Sequence, residues 1–116
     1  MEKGNVILEV SFEFALAVIA YCELLEEKKR FVISNQLLKS GTSVGANVRE
    51  AQNAESKTDF IHKMKIAAKE AEETEYWLLL CKHSPNYPSS EKLLENILVI
   101  KKLLSKIISS SKNSLK

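Results

Sequence analysis

Apolar residues recur at alternating intervals of three and four along nearly the whole chain, the period of an α-helix. Ile7, Val10, Phe14, Ala17, Tyr21 and Leu24 form one such face, and Leu8, Phe12, Ala15, Ile19 and Cys22 form a second beside it. They predict a first helix over about residues 5–29. Its apolar surface is wider than one seam, so it is expected to bury against more than one partner, which is a first hint of self-association. Leu37, Gly41, Val44 and Val48 mark a second helix over about 34–53, with Ser34 as its N-cap. Phe60, Met64, Ala67, Ala71, Thr74, Leu78 and Cys81 mark a third over 57–83, opened by Ser56 and Asp59 at capping-box spacing. Pro85 and Pro88 then break the pattern. A fourth helix over about 90–109 carries Leu93, Ile97, Ile100, Leu104 and Ile107, capped by Ser89 or Ser90, and the tail beyond it is expected to fray. The prediction is an all-α fold, an antiparallel up-down-up-down four-helix bundle occupying residues 1–116 as one domain.

The second helix holds an irregularity. Gly41 and Gly45 lie four residues apart, flanked by Ser40 and Ala46. Each interior glycine costs roughly 0.8–1 kcal/mol relative to alanine, so a helix that accepts two is expected to lie very close to another backbone. Ser40, Gly41, Gly45 and Ala46 are therefore read as a helix-packing seam. A phosphate-binding glycine loop does not fit, because no strand precedes the segment and no Lys-Ser/Thr follows it.

Composition narrows the class further. Only 3 Gly and 2 Pro occur in 116 residues, too little turn chemistry for an all-β fold. The longest apolar run, Phe14 to Cys22, is far short of the ~18 residues of a membrane span. Glu9 and Glu13 interrupt the N-terminal apolar stretch, so no secretory signal is expected. Cys22 and Cys81 sit in apolar surroundings and read as reduced, buried thiols of a cytoplasmic protein.

The net charge is +2, but from Ile100 onward the chain carries Lys101, Lys102, Lys106, Lys112 and Lys116 and no acid. This excess can meet phosphate, which makes Lys101, Lys102, Lys106 and Lys112 candidate nucleic-acid ligands. It can equally be a solvated helix end favoured by the helix dipole.

Catalytic chemistry finds little footing. A di-iron bundle needs two Glu-x-x-His motifs, whereas His62 and His83 are the only histidines and Asp59-x-x-His62 is a single near-match. No metal, no cofactor and no enzymatic activity are expected. Glu70 and Thr74 share a face beside the third helix's stripe, and Asn47 and Glu50 occupy a similar position on the second. Polar groups beside a core must be hydrogen-bonded, so these four are expected to form an inter-helix network that sets register.

Two segments carry a family resemblance. Ser34 to Ala51, with the core Ser40-Gly41-Thr42-Ser43-Val44-Gly45-Ala46-Asn47-Val48-Arg49-Glu50, resembles the characteristic helix of the bacterial 23S ribosomal RNA intervening-sequence proteins. Ser56-Lys57-x-Asp59-Phe60-Ile61-His62-Lys63 and Ile66-Ala67-x-Lys69-Glu70-Ala71-x-Glu73-Thr74-x-Tyr76-Trp77-Leu78 are similar to its next motif. The chain departs from the pattern at His83 to Ser90, where Pro85 and Pro88 replace a more usual Gly-Tyr turn. The resemblance implies an up-down four-helix bundle that assembles into rings, typically homopentamers. A related branch is the accessory variability protein of diversity-generating retroelements, which binds a reverse transcriptase and nucleic acid. Two roles are thus implied, a nucleic-acid-associated ring or an adaptor for a protein partner such as a reverse transcriptase.

Overall fold

The computed structural model describes residues 5–115. Residues 1–4 and Lys116, part of the expected domain, lie outside the described residues. Four helices follow one another: α1 (Val6–Glu27), α2 (Phe31–Ala51), α3 (Lys57–His83) and α4 (Glu91–Asn113). No strand occurs among the described residues. Each helix packs on its sequence neighbours and α1 closes on α4, giving a body of 50 × 24 × 22 Å.

Local chemistry explains where the helices begin and end. The Asn5 side chain caps α1 by accepting from the Leu8 amide at 3.2 Å, and its own amide group donates to Gln52 just past α2. At the other end the Lys29 amide donates to the Glu26 carbonyl and the Arg30 amide to the Leu25 carbonyl, both at 2.8 Å, with Lys29 at φ 62°. This is a Schellman stop with lysine where glycine is usual. The turn leads straight into α2, so the helix starts at Phe31 and Ser34 is not its N-cap: the Ser34 amide already donates to the Arg30 carbonyl. Ser56 does cap α3, accepting from the Asp59 amide at 3.0 Å, while Asp59 accepts from the Glu55 amide rather than from Ser56. Ser90 stands at the N-cap of α4, but its hydroxyl donates to the Leu78 carbonyl of α3, and Ser89 is the residue whose hydroxyl accepts from the Glu91 amide. The helix runs to Asn113, past the expected end at Ser109, so the segment predicted to fray is largely helical. Ser114 receives a hydrogen bond from Lys57 of α3 at 2.7 Å.

The core line of α1 differs from both predicted stripes. Ile7, Ser11, Phe14, Val18, Tyr21 and Leu25 point inward, whereas Phe12, Leu16, Ile19 and Leu24 are exposed. With two adjacent apolar stripes, periodicity alone cannot say which orientation the other helices select. The third helix follows its predicted stripe, except that Ile61 is buried where Phe60 is only partly so.

Candidate functional site

Three surfaces and one buried cluster bring together residues with functional potential. The first is the α1–α2 seam. Gly41 is buried, and a Cβ there would lie 2.9 Å from both γ-methyl groups of Val18. At Gly45 a Cβ would lie 3.2 Å from the Ser11 carbonyl oxygen. Ser34 and Cys22 continue the same seam with a reciprocal pair: the Ser34 hydroxyl donates to the Cys22 carbonyl at 3.2 Å, and the Cys22 thiol to the Ser34 carbonyl at 3.4 Å. The partners of α2 thus descend along α1 from Cys22 through Val18 to Ser11. Ser40 faces the opposite flank, toward α3. Ala46 is exposed and does not belong to the packing seam, since it lies a quarter-turn beyond Gly45 on the solvent side.

Only part of the expected polar network forms. The Thr74 hydroxyl lies 3.0 Å from the Ser40 hydroxyl and 2.7 Å from the Glu70 carbonyl, while Ser40 also lies within 3.4 Å of the Leu37 carbonyl. Both side chains are fully buried, so this pair ties α2 to α3. The other three members are placed differently. Asn47 bonds back to the Ser43 carbonyl of its own helix at 2.8 Å. Glu70 contributes its backbone carbonyl only, and Glu50 is exposed with no side-chain hydrogen bond among the described residues. Carboxylates at the edge of a seam reach water more cheaply than a buried partner.

The lysines of α4 divide into two sets. Lys101 is held by Glu75 at 2.8 Å and Glu72 at 3.0 Å, both from α3. The Glu75 hydrogen bond raises its pKa above the ordinary lysine value. Its charge is already compensated, which removes it as a free phosphate ligand. Lys102, Lys106 and Lys112 are exposed and have no ion pair among the described residues. Beyond Lys101 a groove of about 500 Å³ opens between α3 and α4, lined by Ala68, Lys69, Glu72, Lys101, Ser105, Ile108, Ser109 and Lys112. Lys65 lies beside Lys112 and depresses its pKa through proximity of like charge. Lys65 and Lys69 are missed by a reading of α4 alone; their spacing of four on α3 was the available signal.

The third surface is apolar. Phe12, Leu16 and Ile19 of α1 are 46%, 53% and 41% exposed. Phe12 and Ala15 border a depression of about 330 Å³ shared with Thr42, Gly45, Ala46 and Arg49 of α2, and the Ser34–Cys22 and Gly41–Val18 pairs bring exposed Leu38 to the level of Ile19.

Inside the bundle, Tyr21 donates to the Pro88 carbonyl at 2.7 Å and lies beside Cys81. Burial pushes the Tyr21 phenol and the Cys22 and Cys81 thiols above their ordinary values, which makes the thiols poor nucleophiles. His62 and His83 are exposed near opposite ends of α3. Among the described residues no group of three His, Cys, Asp or Glu is placed to hold a metal, and no helix is long and apolar enough to cross a membrane.

Comparison with known proteins adds to this geometry. A family model described as 23S rRNA-intervening sequence protein matches residues 3–109. A crystal structure of a protein of unknown function from the S23 ribosomal protein family of Bacteroides thetaiotaomicron VPI-5482 is similar in sequence and shape. It has 46% identity and a TM-score of 0.82, over 88% of this chain and 97% of its own. Among curated proteins none matches the chain in sequence.

Proposed function

The chain belongs to the 23S rRNA-intervening sequence protein family, and from that premise we propose a non-enzymatic, self-associating scaffold built on an antiparallel up-down-up-down four-helix bundle. The antiparallel reading is supported by the pairs along each seam. As α2 ascends through Ser34, Gly41 and Gly45, its partners descend through Cys22, Val18 and Ser11. As α3 ascends from Lys57 through Glu72 to Lys82, its partners on and after α4 descend from Ser114 through Lys101 to Glu91.

Self-association is carried by one observation, the exposed stripe of Phe12, Leu16 and Ile19 alongside Leu38 and Ala46. Scattered surface apolar residues are ordinary, but a contiguous stripe across two packed helices marks an interaction face. A second copy of the chain is the expected occupant, and the family resemblance points to a ring of five. Light scattering coupled to size exclusion tests this. The unmodified chain is expected to run as an oligomer, and Phe12→Glu with Leu16→Glu as a helical monomer. A monomeric unmodified chain across the micromolar range removes the proposal.

A second reading, association of the assembly with nucleic acid, is favoured by the uncompensated charge of Lys102, Lys106 and Lys112. A ring would repeat that charge around its circumference and bind phosphate without regard to sequence. A mobility-shift titration with RNA and DNA at two salt concentrations tests it, and no shift at the lower salt would rule it out.

A further inference from the structure

We infer that the groove between α3 and α4 holds the phosphodiester backbone of a single nucleic-acid strand, with Lys65, Lys69 and Lys112 as the phosphate ligands. The inference rests on the nucleic-acid reading above but assigns it to a different surface, one that includes α3. Four observations lead to it.

The groove is a real concavity of about 500 Å³, with Ala68 and Ile108 among its lining residues and the hydroxyls of Ser105 and Ser109 along it. Its negative charge is confined to one end, where Glu72 and Glu75 both engage Lys101 and leave one negative charge against the three positive charges of Lys65, Lys69 and Lys112. The remaining lysines have no ion pair among the described residues, and Lys112 is held close enough to Lys65 to lower its pKa. An anion between them would relieve that repulsion.

The cations are strung out, not convergent. Lys65 and Lys69 lie one turn apart, about 6 Å along α3, with Lys112 across the groove on α4. Lys57 extends the same side toward Ser114. A line of positive charge suits a chain of phosphates better than a single phosphate group. No aromatic residue lines the groove, so bases have no stacking platform and the contacts are to the backbone alone.

The test is fluorescence anisotropy of a labelled oligodeoxythymidylate with the full-length chain. Three phosphate contacts on a single strand predict a log–log salt slope of about −2, so binding weakens about twenty-fold between about 50 and about 200 mM salt. Lys65→Ala with Lys69→Ala and Lys112→Ala is expected to lower affinity at least tenfold at the lower salt and to flatten the slope. Circular dichroism should show unchanged helicity, because these side chains are at the surface. Lys39→Ala on α2, outside the groove, is expected to change affinity less than twofold. If the triple variant binds as tightly as the unmodified chain while Lys102→Ala with Lys106→Ala does not, the groove is overturned and the general nucleic-acid reading survives. If the strand is not bound at all at the lower salt, both fall.

Discussion

Gly41 of α2 and Val18 of α1 meet so closely that a single methyl group on the glycine would come within 2.9 Å of both Val18 γ-carbons. Val18 is fully buried and β-branched, so its side chain has one comfortable rotamer and little room to yield. Gly41→Ala should gain roughly 1 kcal/mol in helix propensity and lose about 1–3 kcal/mol or more to overpacking, for a net destabilisation. Val18→Ala alone should also destabilise, through a cavity. Combining the two should recover part of the loss. Urea unfolding of the four species forms a double-mutant cycle, and additive effects would contradict the close contact. Gly45→Leu should be more disruptive still, because the obstacle there is the backbone carbonyl of Ser11.

The hydroxyl pair Ser40 and Thr74 is the main polar link inside the α2–α3 seam. Thr74→Val leaves Ser40 with the Leu37 carbonyl as its remaining partner and should cost about 0.5–1.5 kcal/mol, the net worth of one hydrogen bond. Ser40→Ala added to Thr74→Val removes both halves, so the double variant should be more stable than the sum of the single changes predicts. Thermal melts followed by circular dichroism distinguish this coupling from simple loss of two independent contacts.

Alkaline conditions should destabilise the fold in a defined direction. The Cys22 and Cys81 thiols lie above their ordinary value of 9.0 because burial disfavours the thiolate. Their protonated form is therefore favoured by folding. That contribution is fully present below pH 9, where both states keep the proton. It is lost as pH rises from about 9 through the folded-state values, because the unfolded chain then releases protons that the folded chain retains. Each thiol adds up to about 1.4 kcal/mol per pH unit over that window. Lys101, raised by its hydrogen bond to Glu75, acts in the same direction at higher pH. Urea midpoints should be flat from pH 7 to about 9 and fall above it. A Cys22→Ala, Cys81→Ala chain should show a shallower fall, and an identical pH profile would refute the assignment.

The four helices were legible because each carries a long 3.6-residue apolar period, and Ser56 and the two prolines punctuate it clearly. The close approach at Gly41 and Gly45 was legible because a helix keeps two glycines only where something crowds it. Ends and orientations were less so. Ser34 looks like a cap in the linear sequence, yet the Schellman turn at Lys29 starts α2 earlier and carries Ser34 into the seam against Cys22. Ala46 and Asn47 belong to the right segment, but rotation about the helix axis turns them away from the seam.

The sequence by itself determined the class, the number of helices and the crowded seam, since these follow from local periodicity and backbone propensity. Tertiary structure decided which line of α1 turned inward, one that coincides with neither apolar stripe, because that choice depends on surfaces contributed by the other helices. It also decided the fate of the lysines. Lys101 belongs to a basic run in sequence, but α3 brings Glu72 and Glu75 against it and cancels its charge, while bringing Lys65 and Lys69 beside Lys112. Charge compensation acts through space over a few ångströms, and residues as far apart in sequence as Lys101 and Glu75, or Lys65 and Lys112, meet only when the helices pack.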